Sequence, residues 1–520
     1  MTAKAPGEYK CDTCSVGFSM LWRPDVSGLL QLVAGAVMFR EHEVDGLPPT
    51  RRTTCRGITG MHRRTKGSRI LRNGLGALVL TGILGTAVPA SAETLMQALS
   101  SAYGNNPDIA AERARLKATD EGVAKAKSGW RPSVFANGTV KTGVSKTTPL
   151  PGTSRSYNSE SVSITLTQPV FNGFKTVESV RSAKAAVRAG RQNLLAVEQK
   201  VLLDAATAYM NVVRDREILR LKARNITVLK EQLQSTIARY KVGEVTKTDV
   251  SQARAALAQA RSDYAQAKAQ LAATIASYEK VVGHKPRRLK FPRHCPKLPL
   301  GLNDALARAS RINPNILAAA YSQKAAEHNV KAVFGDLLPS VSIQASLSAS
   351  RNKVEGSNPT KTRDASIMGT ISVPIYQGGF VHASVREARH KAEAARLSVA
   401  VARRAVRQQV VSAWNNLIAA RKVISAARAQ VTASRRAYEG VREEYKAGSR
   451  TTLDVLNAQQ TLLNARVSLV SARAAEMTAA YSLLAAIGEL TAWRLGLKVA
   501  AYDPTEHYRA VKSKLFGTRR

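Results

Sequence analysis

The chain states one plan twice, and that constrains it more than any other feature. Tyr240-Lys241-Val242-Gly243-Glu244-Val245-Thr246-Lys247-Thr248-Asp249-Val250 is echoed 205 residues on by Tyr445-Lys446-Ala447-Gly448-Ser449-Arg450-Thr451-Thr452-Leu453-Asp454-Val455. The same offset carries Pro169-Val170-Phe171 onto Pro374-Ile375-Tyr376. Asn106-Pro107 and Arg131-Pro132-Ser133-Val134 reappear, at an offset of 207, as Asn313-Pro314 and Leu338-Pro339-Ser340-Val341. The two-residue slip falls between strand-like runs, where loop lengths vary most freely. The expected layout is a first repeat at 93–290, a linker at 291–302, a second repeat at 303–490 and a basic tail at 491–520.

Inside each repeat the period of the apolar pattern changes. Val341, Ile343, Ala345, Leu347 and Ala349 alternate with Ser342, Gln344, Ser346, Ser348 and Ser350, a period of two that predicts a strand. Strands are expected at about 133–144, 161–169, 340–350 and 365–374, with opposite faces of Ser, Thr, Gln and Asn that are rarely charged. An apolar face against an uncharged polar one suits a barrel with lipid outside and water inside. Four strands cannot close a barrel alone, so either other chains supply strands or the barrel reading fails. A half-buried soluble sheet has the same alternation, but two hairpins standing alone are marginal in water.

Elsewhere the spacing is helical. Leu194, Val197, Val201, Ala205, Ala208 and Val212 step by three and four, and the 205 offset maps them onto Val399, Ala402, Val406, Val410, Ala413 and Leu417. A helix from about Thr176 to Lys241 would run ~100 Å. Small Ala and Ser side chains along these seams permit close helix packing. Pro169 and Pro374 cannot donate to a ladder and are expected to end strands, with Gly173 and Gly378-Gly379 redirecting the chain into the helix. Gly243 and Gly448 are placed where a long helix stops. Thr246 or Thr248, and Thr451 or Thr452, can cap the helix that follows. The periods read as a mainly α fold with a β part, which is a β-barrel part if other chains complete it.

Met61, the basic run His62–Arg69, the apolar run Leu75–Val88 and Ala90-Ser91-Ala92 have the three-part layout of an export signal, with a mature start at Glu93. Residues 1–60 then have no evident role and read as an over-extended start. Export weighs against nucleic acid as the reason for a net charge of +41, and so does the low aromatic fraction. Setting aside residues 1–92 leaves 66 Lys+Arg against 31 Asp+Glu. Lys and Arg are nearly absent from the alternating strands, which assigns this excess to solvated helices. Cys11-Asp12-Thr13-Cys14 has no second pair at zinc spacing. The mature histidines are scattered, with no HExxH and no phosphate loop. Neither an enzyme nor a cofactor is expected.

With these features assembled, the chain resembles the TolC family of outer-membrane efflux and secretion channels. The resemblance rests on the export signal, Gln168-Pro169-Val170-Phe171-Asn172-Gly173, Val373-Pro374-Ile375-Tyr376-Gln377-Gly378-Gly379, and the repeated Tyr-x-x-Gly turns. It implies a homotrimer whose three chains build one twelve-stranded barrel in outer-membrane lipid. Below it, long antiparallel coiled-coil helices would form a periplasmic tube that serves an inner-membrane pump and a periplasmic adaptor. It also implies a gate latch in which Tyr445 and Arg450 contact Asp249 and Thr248, and a constriction at Asp454, with Asn457 where an Asp is common. On the residues alone, Asp249 and Asp454 read first as helix N-terminal acids favoured by the dipole. A periplasmic coiled-coil adaptor or scaffold is the competing reading, though it has no need of duplicated hairpins.

Overall fold

The computed structural model describes residues 93–146, 154–292 and 295–518. The expected export signal and the stretch before it lie outside the described residues. The first repeat comprises α1 (Leu95–Asn105), α2 (Pro107–Lys127), β1 (Ser133–Lys146), β2 (Ser154–Asn172), α3 (Lys175–Lys241) and α4 (Lys247–Val282). The second comprises α5 (Leu302–Ile312), α6 (Pro314–Phe334), β3 (Ser340–Val354), β4 (Thr360–Ser372), α7 (Phe380–Lys446) and α8 (Thr452–Ile487). Each helix has the length of its counterpart: 11, 21, 67 and 36 residues in both repeats. No helix among the described residues is long and apolar enough to cross a membrane.

Local chemistry repeats with the lengths. Asn106 and Asn313 each accept the amide of the residue two positions on, at 2.9 Å in both cases, and a proline follows at the first helical position. Their side-chain amides donate to the carbonyls of Val281 and Ala486, at 3.0 and 2.8 Å. One asparagine thus starts the second helix of each repeat and ties it to the end of the fourth. Glu93, the expected first mature residue, is buried: its carboxylate accepts from Tyr278 Oη at 2.6 Å and from the Arg287 amide at 3.2 Å.

The strands form one antiparallel sheet in the order β1-β2-β3-β4, leaving β1 and β4 as edges. Val134, Leu166, Ala345 and Ile367 pair in succession and so share one face, while Thr139, Ser161, Ser350 and Thr362 share the other. The apolar face is bare: Val140 is 84% exposed and Ile367 71%. Along β2 its residues alternate with half-buried polar ones. The hydrophobic effect does not leave a face like this in water.

Three expectations change. The strands run further than the alternation suggested, to Lys146 in β1, from Ser154 in β2, to Val354 in β3 and from Thr360 in β4. They therefore take in Arg351, Lys353, Lys361 and Arg363, and the sheet is not free of basic residues. Pro169 does not end its strand. Pairing of β2 with β1 stops at Thr167, and β2 continues past Pro169 to Asn172 against β3 alone, through a bulge at Val170. A proline is tolerated there because no neighbour on that side needs its amide. Pro374 does lie beyond the end of β4.

The basic tail packs onto the helices. Ala492, Leu497 and Tyr502 join the larger core, where α1, the middle of α3 and the ends of α4 and α8 meet. Further on, α9 (Glu506–Val511) leads to Lys512, whose carbonyl accepts from Lys127 Nζ of the first repeat at 2.9 Å. A smaller core joins α5, α6, α7 and α8.

Candidate functional site

The two Tyr-x-x-Gly motifs turn α3 into α4 and α7 into α8. Gly243 and Gly448 both adopt φ = +81°, which only glycine reaches freely. The amides after them close back on the helix, Glu244 to the Arg239 carbonyl and Ser449 to the Glu444 carbonyl, at 3.0 Å each. Thr246 and Thr451 are the caps, rather than Thr248 and Thr452. Each accepts the amide of the aspartate three residues on, and that aspartate accepts the cap amide in return.

Asp249 and Asp454 are those aspartates, so the helix-terminal role is present at both. Hydrogen bonds from the Thr246 hydroxyl and amide, with a smaller one from Thr452, hold the Asp249 carboxyl below the usual range. The Thr451 amide and hydroxyl do the same for Asp454, helped by the nearby charge of Arg450. Both are anionic at neutral pH. Asp454 and the exposed Asn457 stand one helical turn apart on α8.

The latch residues are only partly brought together. Tyr445 is buried, and its phenol lies 3.3 Å from the Thr452 hydroxyl rather than on Asp249; Thr452 is in turn a hydrogen-bond partner of Asp249. Thr452 thus links the second-repeat tyrosine to the first-repeat acid. Arg450 forms an ion pair with Glu444 of its own repeat at 2.7 Å, and Thr248 is exposed. The cation that reaches across the repeats is Arg239 of α3, whose guanidinium sits 4.7 Å from the centre of the Tyr445 ring. Arg239 escaped the sequence reading because its counterpart, Glu444, differs, so the duplication gave no signal. Higher up, Gln459 Nε2 donates to Asn225 Oδ1 at 2.8 Å, a buried polar tie between α8 and α3.

The strand-to-helix junctions differ between repeats. Gly173 and Phe174 have φ of +60° and +62°, Gly378 and Gly379 +60° and +78°. A Cβ on Gly173 would lie 2.2 Å from the Gly335 carbonyl oxygen, whereas one on Gly378 or Gly379 would meet nothing within 4 Å. Among the described residues no group of three or more His, Cys, Asp or Glu could hold a metal ion.

The model of the family described as "Outer membrane efflux protein" matches residues 98–284 and again 303–489. The outer membrane efflux protein BepC of Brucella suis is 40% identical over 446 residues, covering 85% of this chain and 96% of that protein. The outer membrane protein TolC of Escherichia coli is 28% identical, over 71% of this chain and 77% of its own. Among solved structures, the Campylobacter jejuni CmeC outer membrane channel superposes with a TM-score of 0.69 at 18% identity, over 81% of this chain and 89% of that one, a likeness of fold.

Proposed function

The chain belongs to the outer membrane efflux protein family, and from that premise we propose that three copies form the exit duct of a tripartite efflux or secretion system. A periplasmic adaptor joins this duct to an inner-membrane pump, which passes small molecules or unfolded proteins through it. The observation that carries the proposal is the sheet: four antiparallel strands, two unpaired edges, one bare apolar face and one hydroxyl-lined face. Pairing β4 of one copy with β1 of the next removes every edge, turns the apolar face to lipid and leaves a polar lumen.

The helix pairs below the sheet form the periplasmic tube, and its tip is the gate. Asp454, with Asn457 one turn further on, lines the constriction, where a threefold ring of carboxylates attracts cations. The tip stays narrow while Tyr445 is held to the first repeat, through Thr452 to Asp249 and under the Arg239 guanidinium. Such contacts hold a helix pair yet yield to a partner that offers better ones, because each is worth only ~1 kcal/mol near water.

Membranes extracted with detergent and run with and without heating test the assembly. A heat-sensitive trimer is expected, and a soluble periplasmic monomer would overturn the proposal.

A further inference from the structure

The helices that adjoin the strands all meet the sheet at one end, at Ser133, Asn172, Ser340 and Ser372, so Lys146, Ser154, Val354 and Thr360 lie at the other. From Val341 to Ala349 the apolar face of β3 covers ~27 Å of strand, about the height of a barrel's lipid-facing band. The next residues on that face are cationic. Arg351 and Lys353 follow Ala349 on β3, and Arg363 and Lys361 follow Ala365 on β4; Arg351 pairs with Lys361, and Arg363 with Ala349. Glu160 pairs with Arg351 from β2 and is the one acid facing them. Glu355 is occupied by the Ser156 amide and hydroxyl at 3.1 and 2.8 Å, and Asp364 belongs to the opposite face. All four cations are exposed, and none makes an ion pair among the described residues.

The surface below the cations is shaped as well as apolar. A concavity of about 400 Å³ lies between Val140, Glu160, Val162, Arg351, Lys361 and Arg363. A second, of about 500 Å³, continues on the same strands between Val134, Ile164, Leu347 and Ile367. An amphiphile fits this sequence of surfaces: chain along the apolar concavity, anionic head among the guanidinium and ammonium groups. Lys and Arg on a lipid-facing position are unfavourable at mid-bilayer and tolerated at the interface, so these residues also mark where the membrane ends.

We propose that Arg351, Lys353, Lys361 and Arg363 form a binding site for the net-anionic, phosphate-bearing headgroups of outer-leaflet lipids. The site rests on the channel reading above, which sets this face toward lipid. A guanidinium can grip a phosphate with two parallel hydrogen bonds, and the flanking ammonium groups add charge. Three net positive charges per chain, repeated around a trimer, would hold a ring of anionic lipid at the loop end of the barrel.

Native mass spectrometry of the detergent-extracted protein, offered equimolar phosphatidylglycerol and phosphatidylcholine, tests the site. Wild type is expected to retain the phosphatidylglycerol at least ~10-fold better, since each basic residue near an anionic surface is worth about fivefold in binding. Arg351→Ser with Lys361→Ser and Arg363→Ser should bring that ratio near unity. The milder Arg351→Gln with Lys361→Gln should give an intermediate ratio if the triple variant does not assemble. Lys141→Ser removes a cation from the hydroxyl-lined face and should change nothing. Equal retention of both lipids by wild type, or a shifted reversal potential in the basic-residue variants with lipid retention intact, overturns the site while leaving the channel standing. Failure of the wild type to enter membranes overturns both.

Discussion

The two repeats share lengths, caps and turns, yet they are not equally covered. In α3, 21 of 67 residues are buried, against 11 of 67 in α7. The difference has a simple topological source: α3 packs against α6 and α8 of the second repeat, and among the described residues no first-repeat element packs in that way on α7. Ile375, Tyr376 and Phe380 at the second junction are consequently 96%, 82% and 74% exposed. At the first junction Gly173 is pressed against Gly335. One repeat shows an interface already made, and in the trimer proposed above the other would complete the same interface with a second copy.

The largest test of this comparison is at the junctions. Gly173→Ala should abolish the assembled protein, since left-handed strain plus overlap with a carbonyl costs about 3 kcal/mol or more. Gly378→Ala meets only the conformational strain in a single chain, about 1–2 kcal/mol. Circular dichroism of the monomer and heat-resistance of the trimer separate the two levels. A Gly378→Ala protein that folds but loses its trimer would place an inter-copy contact at the second junction, and an unaffected trimer would rule that contact out.

Next in size is the proposed latch. Arg239→Ala and Tyr445→Phe should each raise single-channel conductance in planar bilayers several-fold, and together they should exceed either alone. Arg450→Ser should do less, because its partner Glu444 belongs to its own repeat and the pair is exposed. A large effect of Arg450→Ser alone would mean that it reaches a neighbouring copy in the assembly.

Asp454 and Asp249 supply a matched pair. Both close capping boxes, so alanine at either should fray a helix start. Only Asp454→Ala is expected to lower cation preference, read as a reversal potential under a salt gradient. Equal shifts from both variants would place Asp249 in the constriction too.

The smallest effect is in pH. Both carboxyls titrate below the ordinary 3.8, so their hydrogen bonds are complete above that value and are lost as pH falls through the depressed one. Conductance should therefore be flat from pH 5 to 8 and rise only below about pH 4. A step near neutrality would point to another group.

Much of this was legible because the duplication doubles every weak signal. A single Tyr-x-x-Gly is unremarkable, but two at a fixed offset, each followed by Thr and Asp, announce matched turns. Legibility failed where the repeats diverge or where burial comes from outside the local pattern. The outer ends of β2, β3 and β4 carry Glu160, Arg351, Lys353, Lys361 and Arg363 in place of alternating apolar residues, and so they read as loop. Pro169 was misjudged because whether a proline breaks a strand depends on which neighbour is paired there. Arg239 has no basic counterpart, and the tail's hydrophobic residues lack any regular period, so only the packed structure assigns them partners.

The equal 67-residue spans of α3 and α7 carry a mechanical consequence. In the proposed duct, reach across a compartment is one dimension recorded twice, and each record is braced by a 36-residue strut. Removing two turns from one long helix would leave a skewed rim instead of a shorter conduit, with one turn withdrawn from its seat and the other still in place. To adjust the span, evolution or an engineer must edit both records and both struts in step, whereas the hairpin loops can be recut one at a time.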